Sequence, residues 1–569
     1  MKNWILLGLI IVLALTLRVV NLGEIPSFHS DEVDFTYNAY SLLLTGRDQS
    51  GKLLPLATTS VGDFRPAAYT YFAILPVKLL GATEFAGRLP SAILGSLSVL
   101  VLYLLSKRLL KSRRVGFISC VLLGFSFWHI NLSREASEKV MAMFFVLAGL
   151  LFMYRYVIKT KLTNLFLAFI FLMLSIHSYY SPRPFLLLLL PVVYLLYQKV
   201  LKGKQKIVLA TAMGLFMLAI LYFTFFFGQS SERIGQLNIF NHPYTVALLG
   251  EQIREEGNTA NVYATRFYHN KLVNFGFTIG QNYLDYFSPR YLFLQGGFPN
   301  RVKIPAVGLL NLAELPLLVY GIFALAQRYF KYKNKEILLV FFWLVLAPLS
   351  PALTFDEIPN VYRTLLMLPP LLIIIAAGVS ELIQMLVSVR CGKVIITVVA
   401  IFYCWNLLFF IHQYHTHFEI HQSQYRNYAQ KELGLFLKEI EGEYETIYIS
   451  KGYSGADQVI RYYFGYSPEQ YQAEGSPRDE DYEGFGKIVY VPMPCAYPEL
   501  IGKKIPQIGK NYLYVNRADC QREYEQYRIS TITWRDNSPA YRVISPGVLS
   551  EHPALDETQL MEDVKKEAE

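Results

Sequence analysis

Two adjacent acids, Asp31 and Glu32, follow an apolar stretch at the start of the chain, in Phe28-His29-Ser30-Asp31-Glu32. An acid pair at the edge of a bilayer is costly unless it is solvated or partnered, which makes it a candidate for function. Basic residues recur in comparable places. These are Arg65 before Pro66, Arg134 with Glu138 behind it, Arg183 after Tyr180, and Arg363. A carboxylate can take the proton of an attacking hydroxyl, and arginines can hold a phosphate while charge builds on it. Together they suit transfer of a group from a lipid phosphate to an alcohol. Phosphate leaves as a stable anion without a general acid, so one carboxylate base suffices where most glycoside hydrolases use two. Asp31 is the expected base and Glu32 its helper. Arg65, Arg183 and Arg363 are the expected phosphate ligands, with His29, Arg134, Glu138 and Tyr180 in support. Each also has a structural reading. Asp31 and Glu32 suit the first turn of a helix, Arg134 and Glu138 are spaced for an i, i+4 pair, and interfacial arginines and aromatics are ordinary. No CxxC or HExxH pattern points to a metal, and no metal or other cofactor is expected.

The elements that must position these residues are membrane helices. The chain of 569 residues is 53% hydrophobic, and apolar runs of about 20 residues, enough to cross a hydrocarbon core, recur through its first three quarters. About eleven spans are expected, near 4–21, 85–106, 115–131, 139–158, 162–179, 184–197, 207–227, 307–326, 337–354, 365–387 and 394–413. Lys2 precedes the first, and no small-x-small cleavage site follows it, so it reads as a retained signal anchor. The net charge of +9 does not point to nucleic acid, because the basic residues cluster in every second short loop, for instance Lys107, Arg108, Lys111, Arg113 and Arg114. By the positive-inside rule those loops and the N-terminus are cytoplasmic, and the C-terminal region lies outside the plasma membrane. The acids and arginines then converge on the outer face. Few polar residues lie deep in the spans and no internal repeat is visible, which sets an exporter or flippase of lipid-linked sugars second. A non-catalytic scaffold is a third reading.

The domain plan is a membrane domain over 1–413, with long outer loops at 22–84 and 228–305, then an α/β domain over 414–550 and a polar tail at 551–569. The α/β reading rests on a helical stretch at 424–441 and strand-like runs at 446–449, 487–491, 512–515 and 530–534. Cys495 and Cys520 fall in this domain and are open to a disulfide if it lies in an oxidising compartment. Cys120, Cys391 and Cys404 lie in or beside apolar segments as small hydrophobes.

The order of four motifs resembles the GT-C fold glycosyltransferases of glycosyltransferase family 39, related to the protein O-mannosyltransferases and the aminoarabinose transferase of lipid A. The motifs are Pro26-Ser27-Phe28-His29-Ser30-Asp31-Glu32, Arg65-Pro66-Ala67-Ala68-Tyr69, Gly87-Arg88-Leu89-Pro90-Ser91-Ala92, and Arg134 with Glu138. The resemblance covers the first 200 residues or so. It implies a polytopic α-helical protein that moves a monosaccharide, with inversion, from a polyprenyl-phosphate donor to a hydroxyl acceptor on the outer face. Asp31 matches the family's catalytic aspartate and Arg65 its basic residue near the donor phosphate. Arg65 stands where Lys is more usual, Ala67 where a second proline is usual, and Glu138 where Asp is common. The chain has no soluble insert of the MIR type in its 228–305 loop and no Trp-Trp-Asp stretch, which sets it apart from eukaryotic protein mannosyltransferases and from oligosaccharyltransferases.

Overall fold

The computed structural model describes residues 2–545 except 61–62, 227–234, 236–237, 242, 258–260, 451, 454, 477–483, 492–494, 497–511 and 521–526. The 551–569 tail lies outside the described residues. The chain divides into two compact units, one of Met1–Ser27 with Asp31–Tyr425 and one of Phe28–Ser30 with Arg426–Glu569.

The first unit is helical. Its N-terminal part runs α1 (Lys2–Val19), α2 (Ser30–Thr45), the hairpin β1 (Ala57–Ser60) and β2 (Asp63–Pro66), α3 (Ala68–Leu80), α4 (Glu84–Leu109), α5 (Arg113–Gly124), α6 (Phe127–Ser133), α7 (Glu138–Lys159), α8 (Leu162–Ser178), α9 (Pro182–Tyr197) and α10 (Lys204–Phe225). Among the described residues, six helices are long and apolar enough to cross a membrane, or seven if the bent pair α5 and α6 is one span. The runs at 4–21, 162–179 and 184–197 form shorter apolar helices, and an apolar helix not expected from the sequence, α3, lies between the first and second expected spans.

Burial separates two kinds of span. The apolar windows of α4, α7 and Leu365–Val387 are 72–78% buried, whereas those of α10 and Gly392–Gln422 are 22% and 11% buried. The first three form the interior and the last two turn most of their surface to lipid, as helices apolar all round do. Close approach is made possible by small residues. A Cβ on Gly321 would lie 2.2 Å from the Ile374 carbonyl oxygen, so the helices Glu314–Tyr332 and Leu368–Val387 meet backbone to backbone at that point.

Two expected spans differ in form. The run 115–131 breaks by 53° between α5 and α6, where the Ser126 side chain accepts from the His129 N–H and caps the second piece. The run 307–326 is helical only from Glu314. Before it, Leu309 and Leu310 donate their N–H groups to the Leu292 carbonyl, and Leu309 accepts from Trp128. Gly308 makes this possible, since a Cβ there would lie 2.2 Å from the Phe293 backbone. Irregular backbone is tolerated at that depth because protein, not lipid, satisfies it.

The second unit has a six-stranded sheet in the order β4 (Gly484–Phe485), β5 (Ile488–Val491), β3 (Thr446–Ser450), β6 (Tyr512–Arg517), β8 (Pro539–Ile544) and β7 (Arg528–Thr533). The central strand β3 is parallel to both neighbours, and the other pairs are antiparallel. Helix Tyr428–Glu439 packs on Ala456–Phe464. The strand-like runs of the sequence all fall on strands, joined by β4 and β8. Cys495 and Cys520 form a disulfide.

Candidate active site around Asp31

Asp31 occupies the first turn of α2, as its structural reading has it, and it also faces a cavity of about 310 Å³. Its Oδ1 accepts from Arg65 Nη2 at 2.6 Å and its Oδ2 from Arg301 Nη2 at 3.0 Å. Arg65 comes from β2, where it pairs with Thr58 across the hairpin, and its guanidinium lies over the Phe35 ring. Arg301 comes from the short 3-10 turn Asn300–Val302. That turn is pinned to the loop around residue 360 by two backbone bonds, Phe298 N–H to the Pro359 carbonyl and Val361 N–H to the Phe298 carbonyl, both 2.8 Å. Gly297 permits the approach, since a Cβ there would lie 2.2 Å from the Pro359 oxygen. Arg301 also donates to the Tyr362 hydroxyl at 3.3 Å, and Tyr362 donates to Glu135 at 3.0 Å. Burial alone would lower the proton affinity of Arg301. Tyr362 and Asp31 outweigh it and hold the guanidinium above its ordinary value.

Four cations and four carboxylates line the cavity. Arg65 and Arg301 share Asp31. Lys139 Nζ pairs with Glu138 Oε1 at 2.7 Å and lies 4.4 Å from the centroid of the Tyr362 ring. Arg363 is held within its own loop by Thr354 Oγ1 at 2.8 Å, the Asp356 carbonyl at 2.7 Å and Asp356 Oδ2 at 3.3 Å. Glu357 is the remaining acid. Its backbone is in the left-handed region, φ +51°, an uncommon state for a residue with a side chain. Burial raises its pKa above the usual glutamate value; Asp356 and Asp31 add to the rise, and Arg301 and Arg363 oppose it.

Of the residues singled out from the sequence, Asp31, Arg65, Arg363, Glu138 and Tyr180 line this cavity. Tyr180 fixes one wall by donating to the Phe64 carbonyl at 2.6 Å, which ties it to the strand that carries Arg65. The others serve the scaffold. Glu32 is 3% exposed and accepts from fully buried Arg88 at 2.8 and 2.9 Å, and from the Ala136 N–H at 2.8 Å. Arg134 does not pair with Glu138. It donates to the carbonyls of Leu17, Val20, Asn21 and Ile25, at and just beyond the end of α1. Arg183 donates to the carbonyls of Ile176 and Phe223, in the last turns of α8 and α10. The final carbonyls of a helix have no partner within it, and a buried guanidinium with its several donors satisfies them. His29 belongs to the second unit.

Sequence reasoning missed Arg301 and Lys139. Lys139 reads as the edge of a span, and Arg301 as one basic residue in a long loop. The signal for Arg301 was the turn-forming run Gly296-Gly297-Phe298-Pro299-Asn300 directly before it. Among the described residues, no group of three or more His, Cys, Asp or Glu side chains comes together to form a candidate metal centre.

Residues 65–223 match the family model described as dolichyl-phosphate-mannose-protein mannosyltransferase. That stretch includes Arg65, Glu138 and Tyr180 and stops short of Asp31 on one side and Arg301 on the other. An uncharacterized protein of Aquifex aeolicus is 27% identical over 153 residues, 27% of this chain and 30% of that protein. ArnT of Cupriavidus metallidurans in its apo state superposes over 97% of this chain and 99% of its own length, with 11% identity and a TM-score of 0.52. Its form bound to undecaprenyl phosphate gives 0.51, with 12% identity over 96% of this chain and 98% of its own. The oligosaccharyltransferase of Archaeoglobus fulgidus gives 0.52 with 12% identity, over 81% of this chain and 61% of its own. The fold is therefore the GT-C fold that the motifs implied.

Two outcomes follow from the geometry. Glu32→Ala removes the nearest carboxylate from the buried Arg88 charge and leaves only Glu84, at 3.9 Å, to balance it, which costs about 3–5 kcal/mol. A thermal melt in detergent should show a large loss of stability, whereas a variant as stable as the parent would remove Glu32 from the scaffold. The second concerns pH. Because the pKa of Glu357 is raised in the folded state, its ionised form is a burden near neutral pH, and the burden disappears below about pH 4, where folded and unfolded chains are both protonated. Glu357→Gln should therefore raise the melting temperature at about pH 7 and leave it unchanged at about pH 4. An equal shift at both values would mean that its charge is not the cause.

Proposed function

We propose that this chain is an integral membrane glycosyltransferase that moves a monosaccharide from a polyprenyl-phosphate donor to a hydroxyl acceptor. The observation that carries the reading is the Asp31 carboxylate bridged by Arg65 and Arg301 at the wall of a cavity wide enough for a sugar phosphate. The fold shared with ArnT, which has been seen with undecaprenyl phosphate, supports a lipid phosphate as the donor. The match of residues 65–223 to mannosyltransferases that use dolichyl phosphate supports it too.

On this reading the donor phosphate competes with Asp31 for the two guanidiniums. Arginine suits that exchange, because its fork of donors fits phosphate and carboxylate equally well. Lys139 and Arg363 add positive charge on the same cavity wall. Once released, Asp31 accepts the proton of the acceptor hydroxyl as its oxygen attacks the anomeric carbon. The new C–O bond forms while the bond from that carbon to the phosphate oxygen breaks, and the electron pair leaves with the polyprenyl phosphate. A single displacement of this kind inverts the anomeric centre. Either a hexose or a pentose fits the chemistry. The disulfide between Cys495 and Cys520 supports an extracytoplasmic second unit, since such bonds persist in oxidising compartments. The basic loops support a cytoplasmic N-terminus.

Asp31→Asn should leave the protein folded and inserted while transfer from a synthetic lipid-linked sugar falls by about 10²–10⁴, the usual worth of a general base. Near-normal turnover by that variant would remove Asp31 from the role. Arg301→Ala should raise the donor KM by about tenfold, or roughly 1.4 kcal/mol, with little change in the acceptor KM. An effect on the acceptor alone would reassign Arg301.

A further inference from the structure

Three helices of the long outer loop are built with their polar side inward. Helices Pro243–Glu255, Val262–Tyr268 and Lys271–Asp285 meet through polar groups. Gln252 bonds His269 at 3.3 Å and Asn274 at 3.2 Å, and Glu256 pairs with His269 at 2.9 Å and accepts from Thr265. In the third helix, Asn274, Thr278 and Asn282 recur every four residues and form one polar stripe. That stripe faces protein, since Asn282 donates to the carbonyls of Ala352 and Thr354 at 3.3 Å each.

The apolar side chains point the other way. Tyr263 is 86% exposed, Leu272 84% and Phe277 77%, with Phe267, Tyr268 and Leu284 also largely uncovered. Val262–Tyr268 and Lys271–Asp285 have no fully buried residue. A helix set whose polar faces pair inward and whose aromatic faces point outward is stable only where its surroundings are apolar. Fifteen residues of helix reach about 22 Å, too short to cross a hydrocarbon core of about 30 Å. Their level is set by the span Lys335–Ala352, because Asn282 bonds Ala352 at its end and the Tyr283 hydroxyl bonds the Val345 carbonyl at 3.0 Å. The basic residues Lys331, Lys333 and Lys335 mark the opposite end of that span.

We propose that these three helices lie flat in the outer leaflet, as an interfacial membrane anchor with Tyr263, Phe267, Tyr268, Leu272, Phe277 and Leu284 among the acyl chains. Aromatic and leucine side chains on one face of a short helix are the usual composition of such anchors. The surface is thus matched to phospholipid rather than to a protein partner. The third helix runs into the segment that carries Arg301, so the anchor adjoins one wall of the Asp31 cavity in sequence.

The test uses the full chain in phosphatidylcholine liposomes, with the exposed Cys391 and Cys404 replaced by alanine. A bimane fluorophore is attached in turn at Phe277→Cys, Leu272→Cys and Tyr263→Cys. Brominated phosphatidylcholine should quench most of the emission at all three positions while aqueous iodide has little effect. Quenching by iodide and not by brominated lipid would overturn the proposal. So would protection from both quenchers, which would mean that protein covers the face. Melting temperatures equal to that of the parent at two of the three positions guard against misfolding as the cause.

Discussion

One carboxylate held between two guanidiniums organises the candidate site of this protein. A charge beside a bilayer needs a partner, and Asp31 has two, supplied from segments far apart in the chain: Arg65 on the β1–β2 hairpin and Arg301 on the turn Asn300–Val302. Neither arginine reaches Asp31 unless its local structure is fixed. The hairpin must pair Arg65 with Thr58, and the turn must close on the residue 360 loop through Gly297. Three segments far apart in sequence are thereby drawn to one cavity. A pair exposed at a wet cavity wall can be exchanged for a phosphate, which a pair sealed in the core cannot.

The neighbouring acid shows the contrast. Glu32 is adjacent in sequence, yet the helix turn sends it to the interior, where Arg88 and the Ala136 N–H occupy its oxygens. Arg88 also donates to the carbonyls of Leu22 and Ser27, so the pair clamps the chain between α1 and α2 against α4. Asp31 can remain poised at the surface because Glu32 fixes the helix that bears it. Arg134 does comparable work at the end of α1, and Arg183 at the ends of α8 and α10.

Much of this was legible in the sequence for definite reasons. Every expected apolar span is helical over at least part of its length, because crossing a bilayer imposes a length and a composition that survive without any alignment. Asp31, Arg65, Arg363, Glu138 and Tyr180 do meet, because the alternation of basic loops had already assigned them to one face. What failed was the assignment of individual arginines. Arg134 and Arg183 have the same residue type as Arg65 and fall in loops of the same expected side, but they lie where helix ends leave carbonyls without partners, and a linear sequence does not show which carbonyls lie nearby. Arg301 was missed for the converse reason. It lies 270 residues from Asp31, and only the close packing of two loops through a glycine joins them.

The central claim is that Arg65 and Arg301 hold Asp31 in the resting protein and exchange it for the donor phosphate. A structure of the wild-type chain bound to a polyprenyl phosphate tests it most directly. The account predicts phosphate oxygens within hydrogen-bond distance of both guanidiniums, with Asp31 released from at least one of them and turned toward the cavity. A phosphate bound elsewhere, with both Asp31 ion pairs intact, would contradict it.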